Sequence, residues 1–250
     1  MMLTDSHCHL SNEYYEDIEL IINNALENKV NRYITSGYDQ KSNEEIVVIT
    51  NRYDNLYGTL GIHPHSALDY NESWLEYIKK KLDHKNIIAV GEIGLDYYYG
   101  KETKDEQKVL FHKMLKLAEE RKKAVVIHSR DATEDTINIL KEYNLKGVIH
   151  SFSGSYETAQ IYIKMGYILG INGTVTFKNS KLIDVLKRLD LENIILETDC
   201  PYLTPEPNRG KKNEPKNILD IAKYLSKELK IPIEEIALQT EKNIQRTFDI

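Results

Sequence analysis

Ile87-Ile88-Ala89-Val90-Gly91-Glu92, an amphipathic stretch from Asp105 to Lys122, and then Ala124-Val125-Val126-Ile127-His128 form the segment that decides the fold. The two short runs rich in Val and Ile read as strands. Between them, Leu110, Phe111, Met114, Leu115 and Ala118 recur at three-to-four spacing with charges on the other face, which is the pattern of a helix lying on a sheet. Strand, helix, strand in this order is a βα unit, and such units build parallel sheets.

The pattern repeats in both directions. Strands are expected at Met2 to Asp5, Val30 to Ser36, Leu56 to Ile62, Ile87 to Glu92, Ala124 to His128, Gly147 to His150, Tyr167 to Ile171 and Ile194 to Asp199. Helices are expected over Glu13 to Asn28, Ser42 to Tyr53, Glu72 to Leu82, Glu134 to Tyr143, Tyr156 to Lys164 and Ser180 to Leu189. A polar loop with prolines, Thr204 to Lys216, leads to helices over Asn217 to Leu229 and Ile233 to Thr247, separated at Pro232. Eight βα units in 250 residues without a linker give an α/β fold, a single (β/α)8 TIM barrel over residues 1–250 with additional C-terminal helices. A doubly wound open sheet is the alternative, but the first strand is not followed by a Gly-rich dinucleotide turn.

A hydrophobic content of 41% with 29% charged residues is that of a globular core, and the net charge of −6 argues against a protein whose whole surface binds nucleic acid. A local basic cleft stays open. The first residues do not read as a signal peptide, and no apolar window is long enough to span a bilayer, so a cytoplasmic protein without membrane contact is expected. Cys8 and Cys200 each neighbour a proposed ligand; a thiolate ligand is conceivable, and a buried small hydrophobe is the competing reading.

A TIM barrel gathers its chemistry at the C-terminal ends of its strands. His7, His9, His63, His65, His128 and His150 all fall at or just past such ends, as do Glu92 and Asp199. His84 and His112 do not, and read as helix-end and helix-face residues. In Asp5-Ser6-His7-Cys8-His9, alternation along an extended strand projects Asp5, His7 and His9 to one side. His7, His9, Glu92, His128, His150 and Asp199 are more ligands than one catalytic zinc requires. Two divalent ions would use all six: His7, His9, Glu92 and Asp199 around one, Glu92, His128 and His150 around the other, with Glu92 bridging. Zinc, magnesium, manganese, nickel or iron suits these donors. Paired ions imply hydrolysis by an activated water.

Eight segments in sequence resemble the successive signatures of the TatD family of metal-dependent deoxyribonucleases. They are Asp5-Ser6-His7-Cys8-His9, Gly61-Ile62-His63-Pro64-His65, Gly91-Glu92-Ile93-Gly94-Leu95-Asp96, His128-Ser129-Arg130-Asp131, His150-Ser151-Phe152-Ser153-Gly154, Val175-Thr176-Phe177-Lys178-Asn179, Glu197-Thr198-Asp199-Cys200-Pro201-Tyr202 and Asn213-Glu214-Pro215. The resemblance spans almost the whole chain. It implies an amidohydrolase-type barrel, divalent metal dependence and hydrolysis of phosphodiester bonds in DNA, often from the 3′ end. Ser151 stands where many relatives carry Cys and Ala124 where many carry Pro, neither at a proposed ligand.

Chemistry suggests the remaining roles. Asp199 could accept the proton of the attacking water as well as bind metal, and Glu197 could orient a ligand. His63 is expected to hydrogen-bond the leaving oxygen or a phosphate. His65 serves beside it or is a surface residue, and Arg130 grips a phosphate or forms a surface ion pair. Arg209, Lys211, Lys212 and Lys216 against Glu206 and Glu214 give the loop 205–216 a net charge of +2. With Lys101, Lys104 and the run Tyr97-Tyr98-Tyr99, these cations would suit single-stranded DNA, unless the tyrosines only pack the loop. The function expected is a 3′–5′ exonuclease on single-stranded DNA. The alternatives are a small phosphate or carboxylic ester at the same site, or a non-catalytic module holding the metals structurally. No obligate protein partner is expected.

Overall fold

The computed structural model describes residues 1–250. Eight strands alternate with helices: β1 (Leu3–Cys8), α1 (Ile18–Glu27), β2 (Val30–Ser36), α2 (Gln40–Ile49), β3 (Leu56–Leu60), α3 (Glu72–Lys81), β4 (Ile87–Asp96) and α4 (Lys104–Glu120). The second half runs β5 (Ala124–Arg130), α5 (Thr133–Leu140), β6 (Gly147–Ile149), α6 (Tyr156–Lys164), β7 (Tyr167–Ile171), α7 (Leu182–Leu186), β8 (Ile194–Leu196), α8 (Ile218–Leu229) and α9 (Ile233–Phe248). All neighbouring strands pair in parallel, in the order β1 to β8. The sheet closes where Asp199 donates its N–H to the His7 carbonyl (2.9 Å) and His9 donates to Cys200 (2.8 Å). This is a (β/α)8 barrel.

The alternation of strand residues creates two apolar layers. Tyr33 of β2, Val125 and Ile127 of β5, Ile149 of β6 and Leu169 and Ile171 of β7 belong to the layer between sheet and helices. Ile34, Ile88, Val126, Val148, Ile168 and Ile195 fill the lumen instead, joined by Ile244 and Phe248 of α9. Helix α9 therefore plugs the barrel floor. No helix is long and apolar enough to cross a membrane.

Local chemistry sets the element ends. Asp39 caps α2, with Ser42 bonding back in a capping box, and Ser155 caps α6. Strand β4 runs four residues further than its apolar run suggests. Gly94 permits this: its φ is +144°, and a Cβ there would lie 1.9 Å from the His128 carbonyl oxygen. Helix α7 is shorter than its sequence pattern, because a turn closed by Ser180 precedes it and another follows Leu186.

Candidate metal centre

Strands β1, β4 and β5, with the residues that follow β1, β6 and β8, bring six side chains to the C-terminal mouth of the lumen. Glu92 stands in the middle of them. Its Oε2 faces His7 Nε2 (3.4 Å) and His9 Nε2 (3.8 Å). Its Oε1 faces His128 Nδ1 (2.9 Å), His150 Nε2 (3.2 Å) and His63 Nε2 (3.7 Å). Asp199 Oδ1 completes the first side, 3.7 Å from His7 Nε2 and 3.4 Å from His9 Nε2. Its backbone is left-handed, with φ +55°, a conformation that aspartate adopts more readily than most residues.

The outer nitrogen of each ring faces a protein oxygen, and for His7, His9 and His128 a hydrogen bond there fixes the inner nitrogen. Ser36 does this twice: its carbonyl accepts from His9 Nδ1 (3.0 Å), and its hydroxyl meets His7 Nδ1 (3.2 Å). Asp96 Oδ2 lies 3.0 Å from His128 Nε2, and Glu197 Oε1 lies 3.3 Å from His150 Nδ1. Such backing by a carboxylate or carbonyl orients metal-binding imidazoles and raises their basicity. His7 Nε2 is buried with no hydrogen-bond partner, a costly arrangement that a bound cation would relieve. Two ligand-forming groups, His7-His9-Glu92 and His63-Glu92-His128, share Glu92, and His7, His150 and Asp199 form a third. Imidazole and carboxylate donors in this number fit divalent ions.

The electrostatics follow from packing charges without water. Burial would push the Glu92 carboxyl up, but His150, His128 and His7 around it prevail and hold it well below the usual carboxylate range. Asp199 is lowered likewise, with His9 overcoming burial. Burial opposes a charge on His150, yet Glu92 and Glu197 push it well above the ordinary histidine value; His9 and His128 are raised by their carboxylates in the same way. His7 and His63 go the other way: burial, then the neighbouring His150, lowers His7. Burial, then the neighbouring His128, lowers His63 strongly and keeps it neutral. Because His63 Nδ1 accepts the His65 N–H (3.2 Å), its remaining proton sits on Nε2, facing Glu92.

Several expected residues lie elsewhere. Asp5 does not join His7 and His9. Its carboxylate accepts from Thr198 N (2.9 Å) and Thr198 Oγ1 (2.5 Å), strapping β1 to β8 beside Cys8 and Cys200. A register shift between Asp5 and Cys8 breaks the alternation that would have aligned them. Both cysteines are buried, and Cys8 Sγ donates to the Ile34 carbonyl (3.4 Å). His65, half exposed, places Nε2 3.4 Å from Asp96 Oδ2. Arg130 forms no ion pair; its guanidinium lies over Tyr98 (4.1 Å) and Tyr99 (4.7 Å). The tyrosine run divides, since Tyr97 is buried and bonds Asp135 while Tyr98 and Tyr99 are exposed.

The loop 205–216 is not a cationic wall of the site. Lys216 pairs with Glu214, Arg209 packs over Phe177, and Lys212 binds the Tyr14 carbonyl. Neither these residues nor Lys101 and Lys104 line the cavity above the metal-binding side chains. That cavity has a volume of about 1490 Å³, and its cations are Arg130, Lys181 and Arg188. Beside His9, Tyr14, Tyr38 and Tyr202 form a wall joined through their hydroxyls at 3.0 Å. Asp96 and Ser36 went unmarked as site residues in the sequence. Both end strands, and Asp96 lies four residues past Glu92 on the same strand, which is the signal that could have found it.

Residues 4–249 match the family model described as TatD related DNase. The chain belongs to the TatD family. It is 40% identical over 254 residues to the metal-dependent hydrolase YabD of Bacillus subtilis (strain 168), and 34% identical over 259 residues to the metal-dependent hydrolase YcfH of Escherichia coli (strain K12). The first alignment covers all of both chains; the second covers all of this chain and 97% of YcfH. The crystal structure of YjjV, a TatD homologue from Escherichia coli K12, superposes with a TM-score of 0.93 at 28% identity, covering 99% of this chain and 98% of that one. This TatD protein is thus a metal-dependent hydrolase acting on ester bonds.

Proposed function

We propose that this chain is a deoxyribonuclease that hydrolyses phosphodiester bonds of single-stranded DNA from the 3′ end, using two divalent cations. The observation that carries the reading is the division of Glu92, whose two carboxylate oxygens face separate sets of imidazoles. His7, His9, Glu92 and Asp199 would hold one ion, and Glu92, His128 and His150 the other. Zinc, manganese, nickel and magnesium are all suited to these donors. Bound there, the pair supplies Lewis acidity, lowering the pKa of water and neutralising charge on the phosphodiester.

The protein's own groups do the rest. Asp199, ionised at neutral pH, accepts the proton of the attacking water. Neutral His63 offers its Nε2–H to a phosphate or leaving oxygen. The Arg130 guanidinium, held flat on two tyrosine rings with its N–H groups unpaired, grips a phosphate. Asp96, His65 and Glu197 keep the rings oriented. Strands from both ends of residues 1–250 supply one centre, so the chain acts as a single catalytic unit.

A cavity of about 1490 Å³ supports a polymeric substrate, since sites for small molecules run to about 300–1,000 Å³. The test is cleavage of 3′- and 5′-labelled single-stranded DNA with magnesium, manganese or zinc, in wild type and Glu92→Ala. Shortening that needs the metal and disappears in the variant is expected, with the 3′ label lost first. Hydrolysis of a small phosphate or carboxylic ester and of no DNA would replace the nuclease reading.

A further inference from the structure

Six of the seven arginines fall into two kinds; Arg52, exposed after α2, belongs to neither. Arg32 pairs with Glu241 and Arg121 with Asp83, while Arg209 and Arg246 donate to the carbonyls of Thr204 and Glu192. Arg130 and Arg188, the two that line the cavity, have no ion pair and no side-chain hydrogen bond. Each instead lies on tyrosine. The Arg188 guanidinium carbon is 3.6 Å from the centroid of the Tyr156 ring. Tyr156 opens α6, Arg188 sits in the turn after α7, and Lys181 borders the same part of the cavity. None of these three residues touches the Glu92 cluster.

We propose that Arg188 and Tyr156 form a second nucleotide subsite, holding one phosphate and one base of a single strand whose end lies at the Glu92 cluster. The inference rests on the nuclease reading. A stacked guanidinium is planar and pre-organised, and its free N–H groups match phosphate oxygens. A base can extend the stack, an interaction tolerant of sequence.

The local charges limit the site to one phosphate. Lys181 and Arg188 are matched by Glu157 and Asp184, so no general basic field exists. Glu157 is exposed, and its own backbone N–H, then Ser155 and Arg188, hold its carboxyl below the usual range, yet it forms no ion pair with Arg188. Stacked on Tyr156 with no ion pair or side-chain hydrogen bond, the guanidinium is left for substrate. The consequence is a preference for oligonucleotides over dinucleotides that neither the metal ligands nor His63 would produce.

Steady-state cleavage of a 12-nucleotide oligothymidylate and of a thymidine dinucleotide by the manganese-loaded full chain, from 50 to 200 mM NaCl, tests this. In the wild type the 12-mer should be preferred in kcat/KM. Arg188→Ala should shrink that preference about tenfold and flatten the slope of log kcat/KM against log salt for the 12-mer by about 0.7, the release expected for one single-strand phosphate. Tyr156→Ala should shrink the preference with a smaller slope change, and Tyr156→Phe should retain it. Circular dichroism on each variant separates misfolding from loss of the subsite. A wild-type length preference and salt slope in folded Arg188→Ala would overturn the subsite alone. A wild type that cleaves neither nucleic acid would overturn the nuclease reading with it.

Discussion

The floor and the mouth of the barrel lumen are built by the same strands, often one alternation apart, and they are physical opposites. Val126 is followed on its face of β5 by His128, Val148 by His150 beyond β6, and Ile195 by Glu197 beyond β8. The floor is dry, filled by these aliphatic side chains with Ile244 and Phe248. The mouth packs four carboxylates and five imidazoles at 2.9–3.8 Å, with His7 Nε2, His150 Nδ1 and Glu197 Oε2 left without hydrogen bonds. Each buried aliphatic side chain contributes about 1.5–3 kcal/mol, whereas an unpaired buried polar atom costs about 1–3 kcal/mol. Of these two regions the floor stabilises the fold, alongside the larger apolar layer between sheet and helices, and the mouth is an arrangement the rest of the barrel tolerates for its chemistry.

The sharpest way to break this contrast is Glu92→Ala. Removing the carboxylate shared by both sets of imidazoles should abolish metal-assisted hydrolysis, a loss of about 10³-fold or more, while thermal unfolding shows the fold retained. If activity survives, the mouth is not the reaction centre. Phe248→Ala should do the reverse. It should lower stability by about 3–5 kcal/mol, read from denaturant unfolding, with activity per folded molecule preserved. A large loss of activity there would mean that floor and mouth are coupled.

Acidity acts on the mouth and leaves the apolar floor untouched. The raised His150, His9 and His128 stabilise the metal-free protein below the ordinary histidine value of 6.5, and that contribution is lost as pH rises through their raised values. A metal must displace those protons, so affinity should fall about tenfold per pH unit for each proton displaced. The rise in melting temperature on adding a fixed zinc concentration should accordingly be larger at pH 8 than at pH 6; equal rises would refute the assignment. The mildest probe is Asp96→Asn, which neutralises the carboxylate behind His128 Nε2 and His65 while keeping an oxygen for the Tyr98 and Tyr99 N–H groups. A loss of about 10–100-fold in metal affinity is expected, measured by competition with a chelator.

Much of this contrast was legible in the chain. A strand that reads Ala124-Val125-Val126-Ile127-His128 declares where its apolar floor ends and its chemistry starts, and eight such strands suffice to predict the barrel and the clustering of histidines. What was not legible depends on distant partners. Asp5 looks like a third member of the His7–His9 face until its contact with Thr198, 193 residues away, turns it aside. The cations of the loop 205–216 look available until Glu214 and the Tyr14 carbonyl occupy them. Ser36 has no chemical signature as the support of two histidines; only the closeness of β1 and β2 makes it one.

The plug formed by Ile244 and Phe248 also has a consequence for synthesis. A ribosome releases the strands of this barrel in order, and β8 emerges before the helix that fills its floor. At about 5–20 residues per second, the 52 residues from the end of β8 at Leu196 to the end of α9 at Phe248 take about 3–10 s to make. During that interval the nascent barrel has its wall but an open base, with Val126, Val148 and Ile195 within reach of chaperones.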